Sequence, residues 1–269
     1  MVSVKVASVP VSDGQLYAEI AGSGEPVVLL HSGLTSSALW DEQFTELASD
    51  YTVVRFDARS HGRSSTARSD YQPEEDLLAV LDHFGLQRAS LIGNSMGGAT
   101  AAAFALAHPD RTNKLVLAGP GIPPMEFQDP FVQQLHRQQE EARKRLDPVA
   151  YVEAFLRYAV DGKYRSPEDT DPQVRARCRE VAMATVEAHH TATGVPVERN
   201  VAANLEEINA PALFVLGSLE LPDIRRISAE AARRMPRAAL ASIPNCGHMV
   251  HMEEPAQFNK FVRDFLGSA

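Results

Sequence analysis

The 269-residue chain predicts an α/β fold in which a mostly parallel, doubly wound sheet carries a block of inserted helices. Three observations lead there. Apolar runs rich in Val, Leu and Ile recur at Pro26–Leu30, at Thr52–Phe56 and at residues 91–92, 115–117 and 212–216. Their apolarity is continuous rather than alternating, as in strands buried on both faces by helices. Segments of helical composition separate them until residue 120, and from there to about residue 201 helices follow one another with no strand between.

Taken in order, residues 4–9 and 15–20 read as two strands joined by the short turn Ser12-Asp13-Gly14, an antiparallel hairpin at one edge of the sheet. The strands Pro26–Leu30 and Thr52–Phe56 follow, with Trp40 at the start of the helix between them and expected in the core. Ala89-Ser90-Leu91-Ile92 has strand composition, and residues 100–107, with five alanines and a leucine, have helix composition. Residues 115–117 form the next strand. In the insertion, Asp129-Pro130, Asp147-Pro148 and Asp171-Pro172 each place a capping Asp before a Pro at the first helical position, where its missing N–H costs nothing. Val149, Val152, Phe155, Leu156 and Val160 recur at helical spacing, and Gly162 ends that element. The strand at 212–216 then resumes the sheet, followed by a helix over 224–235, a strand over 239–243 and a helix beginning near Glu254-Pro255. The division expected is a sheet core of residues 1–120 and 202–269 with a helical cap of 121–201, because a sheet left unfinished at Gly119 must be completed afterwards.

Composition narrows the function. The chain is 44% hydrophobic and 23% charged, ordinary for a globular protein, and its formal charge of −9 argues against nucleic acid or an anionic membrane as partner. Cys178 and Cys246, the only two cysteines, make neither a disulfide framework nor a CxxC metal site. The nine histidines are scattered, and His189-His190 are adjacent rather than on one helix face, so no metal and no cofactor is expected. No dinucleotide fingerprint occurs. Met1 to Val6 alternate like a strand, without the basic-then-apolar pattern of a secretory leader, and no apolar run approaches a membrane span, so a cytoplasmic protein is expected. Its partner is then a small-molecule substrate. Oligomeric state is not legible.

Chemistry concentrates at Gly93-Asn94-Ser95-Met96-Gly97-Gly98. A G-x-S-x-G sequence between a strand and a helix is a nucleophile elbow: the turn forces the serine into a strained backbone with its hydroxyl raised above the sheet, and a Cβ at either glycine would crowd the turn.

With His31-Ser32-Gly33-Leu34 after the third strand, Asp57-Ala58-Arg59-Ser60-His61-Gly62-Arg63-Ser64 after the fourth, the elbow after the fifth and Asn245-Cys246-Gly247-His248 near the end, the chain resembles the α/β-hydrolase fold superfamily over nearly its whole length. The resemblance implies a triad in the chain order serine, acid, histidine. Ser95 is then the nucleophile and His248 the general base, with His251 as the competing histidine, expected to face solvent or the following helix. The acid departs from the common pattern. Where the family usually has an aspartate, three residues past Gly217, this chain has Glu220, and Asp223 is its rival, although that residue also suits the cap of the next helix. The oxyanion hole falls to the backbone N–H groups of Met96 and Gly33, with Leu34 as the alternative to Gly33. His31 and the Asp57-to-Ser64 segment are expected to brace loops. Met125, Phe127, Phe131, Phe155 and Met183 are the apolar pocket candidates.

A serine rather than an aspartate at position 95 argues against epoxide hydrolase and haloalkane dehalogenase chemistry. It favours an acyl-enzyme route to hydrolysis of an ester, lactone or thioester. Gly93 to Ala101 and Lys114 to Gly121 also resemble hydrolases that cleave C–C bonds in meta-cleavage products. Met249 stands where those enzymes usually carry tryptophan, and their acid is aspartate. A third alternative is a receptor or cyclase-type member that uses the pocket without hydrolysis.

Overall fold

A computed structural model describes residues 3–268, so Met1 and Val2 of the alternating N-terminal segment lie outside the described residues. The apolar runs become strands of one eight-stranded sheet: β1 (Lys5–Val11), β2 (Gly14–Gly22), β3 (Pro26–Leu30), β4 (Thr52–Phe56), β5 (Ala89–Asn94), β6 (Thr112–Ala118), β7 (Ala212–Gly217) and β8 (Ala238–Ile243). Their spatial order is β1-β2-β4-β3-β5-β6-β7-β8. β1 pairs with β2 and β2 with β4 antiparallel, while every pairing from β4 to β8 is parallel. Val11 opposite Gly14 closes the edge hairpin with a two-residue turn.

Nine α-helices are described: α1 (Asp41–Leu47), α2 (Pro73–His83), α3 (Met96–Ala107), α4 (Pro130–Lys144), α5 (Pro148–Leu156), α6 (Pro172–His189), α7 (Pro222–Arg234), α8 (Val250–Glu253) and α9 (Pro255–Gly267). Because side chains alternate along a strand, the continuous apolar runs feed two cores at once. Val28, Leu30, Val54, Leu91 and Phe214 pack with Leu77, Leu81 and Phe104 of α2 and α3 on one face. Val27, Leu29, Val53, Ile92 and Val215 meet Trp40, Phe44 of α1 and Phe258 of α9 on the other.

α4, α5 and α6 all leave the chain between β6 and β7. Each begins on its Asp-Pro pair. Asp129 accepts from the Phe131 N–H at 2.9 Å, Asp147 from Ala150 at 2.9 Å, and Asp171 from Gln173 at 2.7 Å. A cap of this kind stabilises by roughly 1 kcal/mol. α5 continues into a π-helical turn, Arg157–Asp161, ended by Gly162 at φ 76°. Val152, Phe155, Leu156, Val174 and Cys178 of this block pack with one another and with Leu39 and Met249, which follow β3 and β8. The inserted helices therefore rest on the loops at the carboxyl ends of the parallel strands, where ligands of open α/β sheets bind.

Candidate active site

β5 ends at Asn94, and α3 begins at Met96. Ser95 between them sits at φ 53°, ψ −112°, a region L-residues avoid at a cost of order 1–3 kcal/mol. Neighbouring strands hold it there: the Ser95 N–H donates to the Ala118 carbonyl of β6 at 2.9 Å, and the Asn94 amide donates to Ala118 and to the His248 carbonyl, each at 3.1 Å. The flanking glycines are needed. A Cβ on Gly93 would lie 2.3 Å from the Gly97 oxygen, and one on Gly97 would lie 2.2 Å from the Leu30 oxygen.

β7 and β8 supply the titratable pair. Glu220 lies just past β7 and is fully buried; its Oε2 stands 2.8 Å from His248 Nδ1, and its Oε1 accepts from the Leu221 N–H at 2.8 Å. His248 is buried after β8. Burial by itself would push its imidazole down, but the Glu220 charge and hydrogen bond, with Glu253 adding to them, reverse the sign and hold it above the usual 6.5. Since carboxylate Oε2 can only accept, His248 Nδ1 carries the proton in this pair, which leaves Nε2 as the basic nitrogen of the neutral ring.

Asp223, the rival acid, is elsewhere. It sits in the first turn of α7, where its Oδ2 accepts from the backbone N–H groups of Gln128 and Asp129 at 2.9 and 2.8 Å. It ties the start of the inserted helices to the sheet. His251 faces the following helix rather than solvent, the second of its two expected surroundings: it is buried, its ring stacked on Trp40 at 4.0 Å between centroids and near Phe258 of α9, and burial pushes it down to about 3.

After β3, a Cβ built on Gly33 would lie 4.0 Å from the Met96 sulfur, so the two expected oxyanion donors belong to residues close to one another. The Met96 N–H opens α3 and has no intrahelical acceptor to reach. Gly33 N–H finds no acceptor among the described residues, whereas Leu34, itself at φ 57°, donates its N–H to His61 Nε2 at 3.2 Å. Of the two loop residues, Gly33 has the free group. His31 accepts the Ala58 N–H on Nε2 at 2.9 Å and faces the Ser32 carbonyl with Nδ1 at 2.8 Å, so both nitrogens are engaged in bracing the loop. Asp57 likewise accepts from the Ser37 and Arg63 N–H groups, each at 2.8 Å.

Ser95, Met96, Gly33 and His248 open on one cavity of about 280 Å³, whose remaining wall includes Met125, Phe127, Phe155 and Tyr158. Phe131 and Met183 do not line it. Phe131 packs with Val132, Leu216, Leu221 and Ile224, and Met183 packs within the inserted helices. Periodicity could not separate these from the lining residues, because both kinds are apolar and inward-facing.

Two contributors had no sequence signal. Gly119, at φ 50° just past β6, is where a Cβ would lie 2.6 Å from Glu220 Oε2 and 2.8 Å from His248 Nδ1. Arg165 in the loop after the π turn pairs with buried Glu253 at 2.5 Å, and both Glu253 oxygens accept the Gly247 N–H at 3.1 Å, so the residue before His248 is tied to the inserted helices. Both cysteine thiols are buried and pushed up to about 12 by desolvation, so neither offers a thiolate. Among the described residues, no group of three or more His, Cys, Asp or Glu could hold a metal, and no helix is long and apolar enough to cross a membrane.

The comparisons with known proteins agree with this architecture. Residues 27–261 match the family described as alpha/beta hydrolase. The chain belongs to the alpha/beta hydrolase family. A Bacillus subtilis (strain 168) protein provisionally named 2-succinyl-6-hydroxy-2,4-cyclohexadiene-1-carboxylate synthase is 28% identical, over 97% of this chain and 98% of that one. A 2-hydroxy-6-oxononadienedioate/2-hydroxy-6-oxononatrienedioate hydrolase of Comamonas testosteroni is 26% identical, over 96% and 93%. The crystal structure of the enol-lactonase from Burkholderia xenovorans LB400 matches with a TM-score of 0.78 at 25% identity, over 97% of this hydrolase and all of that chain. These relatives bear out the expected family and the doubly wound sheet.

Proposed function

We propose that this enzyme is a serine hydrolase that opens a small-molecule ester, lactone or thioester through an acyl-enzyme on Ser95. The observation that carries the reading is the buried Glu220–His248 pair, 2.8 Å apart, whose imidazole lines the same cavity as a serine held in a strained elbow. Ser95 Oγ attacks the substrate carbonyl while His248 Nε2 takes its proton, and Glu220 holds Nδ1–H and stabilises the imidazolium that forms. The N–H groups of Met96 and Gly33 receive the developing oxyanion, a term worth roughly 3–4 kcal/mol per donor. His248 returns the proton to the departing alcohol, thiol or lactone oxygen. Water, deprotonated by His248, then attacks the acyl ester, and His248 returns that proton to Ser95 Oγ as the acid departs. Water is the only co-reactant this route needs.

The inserted helices are the lid in this reading. Their packing on Leu39 and Met249 and the presence of Phe155 and Tyr158 in the cavity wall support a role in excluding water and setting substrate shape. A second reading, cleavage of a C–C bond in a vinylogous diketone, is supported by the Comamonas testosteroni relative and by the resemblance around Ser95.

Labelling with a fluorophosphonate, followed by peptide mapping, tests the nucleophile: adduct on Ser95 and loss of ester turnover are expected, and both disappear in Ser95→Ala. An unlabelled Ser95 with ester turnover retained in Ser95→Ala refutes the reading. Assaying a vinylogous diketone beside the ester and lactone panel decides between the two chemistries.

A further inference from the structure

Beside the cavity at Ser95 lies a second one of about 210 Å³, set over α3 between the start of α2 and the loop that follows α6. The two share Met96, Ala99, Pro123 and Glu198 in their walls, so these residues stand between them. Beyond the divide the chamber is bounded by Leu30, Phe56, Thr100, Ala103, Pro73 and Pro196.

Polar side chains also border this chamber, but almost all are already satisfied by the protein. His61 faces the Arg59 carbonyl with Nδ1 at 2.8 Å and accepts the Leu34 N–H on Nε2, and burial pushes it down to about 3. His31 is engaged at both nitrogens. Asp76 is held by Arg59 through two bonds of 2.7 Å, and Glu74 accepts from Arg199 at 3.0 Å. Thr100 Oγ1 bonds the Met96 carbonyl of its own helix at 3.1 Å, and Ser60 Oγ accepts the Ala67 N–H at 3.0 Å. The exceptions are the Tyr71 hydroxyl and the exposed Glu198 carboxylate in the wall shared with the Ser95 cavity. A wall whose polar groups are paired among themselves offers a ligand hydrocarbon contact and few hydrogen bonds, and it penalises a polar arm that must shed its water there.

We propose that this chamber is a substrate subsite that takes a linear, saturated hydrocarbon arm running from the scissile carbonyl at Ser95, past Met96, along α3. The inference rests on the serine-hydrolase reading and names its substrate class: esters or lactones carrying an alkyl chain longer than the first cavity can hold. Met96 suits the divide, because an unbranched thioether with several rotatable bonds moves aside without strain. The arm is either the acyl chain or the alcohol chain, and both present the same chemistry to the chamber.

Two ester series test the subsite: p-nitrophenyl esters from acetyl to decanoyl, and acetates of alcohols of the same lengths. In the wild type, kcat/KM should rise in one series by about fourfold per methylene once the chain passes Met96, as for hydrocarbon leaving water. Thr100→Phe fills the chamber from α3, at a half-buried position outside the Ser95 cavity, and Ala192→Phe fills it from the exposed loop. Each should cut kcat/KM for the octanoyl or octyl ester by about tenfold or more, corresponding to at least two lost methylene contacts. The acetyl or methyl ester should stay within about twofold of the parent on the same scale. Fluorophosphonate labelling of Ser95 and retained short-ester turnover certify that each variant is folded.

A rise in the acyl series places the acid's chain in the chamber, and a rise in the alcohol series places the alcohol's. If labelling and short-ester turnover are intact but both wild-type profiles are flat or fall with length, the subsite is refuted. It is likewise refuted if the filled variants, with the parental thermal unfolding midpoint and still labelled at Ser95, lose short and long esters equally. Absence of labelling and turnover in the wild type overturns the hydrolase reading, and this inference with it.

Discussion

Gly119→Ala is a small change that reaches the centre of the proposed mechanism. At φ 50° the new residue enters a conformation that costs an L side chain roughly 1–2 kcal/mol. Its methyl would be placed 2.6 Å from Glu220 Oε2, 2.8 Å from His248 Nδ1 and 3.0 Å from His248 Cε1, the first two closer than carbon can approach, so the acid and the imidazole must separate. Overpacking of this kind costs about 1–3 kcal/mol, so the expected destabilisation is roughly 2–5 kcal/mol. For a chain of this size that is a fall in Tm of roughly 4–10 °C. The effect on chemistry should exceed the effect on folding. An imidazole no longer held through Nδ1 loses its tautomer and its stabilised cation, and kcat for a short ester should fall by a factor on the order of 10³. Loss of the carboxylate contact also removes what raises His248, so the acid limb of the kcat/KM profile should move to lower pH. Three measurements on one purified variant check this: thermal unfolding, ester kinetics below Tm, and the pH profile of kcat/KM. Parental kcat with an unmoved limb in a correctly folded Gly119→Ala protein would refute the reasoning, because the pair would then tolerate a wedge that the geometry forbids.

Other perturbations separate roles that lie close together. Glu220→Gln should reduce kcat by about 10³ and shift the acid limb down, whereas Asp223→Asn should keep the chemistry and lose about 1–3 kcal/mol in urea unfolding, as the Gln128 and Asp129 N–H groups lose their charged acceptor. In the parent enzyme the acid limb of kcat/KM should lie above 6.5, because His248 is raised and only its neutral form accepts the serine proton; a limb below 6.5 contradicts that assignment. Arg165→Met leaves Glu253 buried without its partner and should destabilise by about 3–5 kcal/mol, measured by urea unfolding, with short-ester kcat falling as the Gly247-His248 loop loosens. Phe155→Ala should alter the ester preference and Phe131→Ala should not, since only Phe155 lines the Ser95 cavity; a panel of esters on both variants decides it.

The sequence by itself determined what local backbone chemistry determines. Continuous apolar runs must be covered on both faces, so the parallel sheet was legible, and the Asp-Pro starts of α4, α5 and α6 were legible because a cap and its proline act within one helical turn. The position of Ser95 was legible for the same reason: strand, glycine turn and helix are contiguous, and together they set its φ and ψ. His248 was singled out through the resemblance of its loop. Which carboxylate meets His248 was decided by the tertiary structure. Glu220 and Asp223 are three residues apart, and only the pairing of β7 with β8 aims the first at the imidazole, while the start of α4 claims the second. Gly119 needed its tight approach because β6 ends beside β7 and the histidine loop, a meeting of three distant segments. The burial of His251 against Trp40 and the chamber behind Met96 have the same origin. Local sequence fixes backbone geometry over a few residues, whereas contacts, burial and cavities arise where segments remote in sequence are packed together.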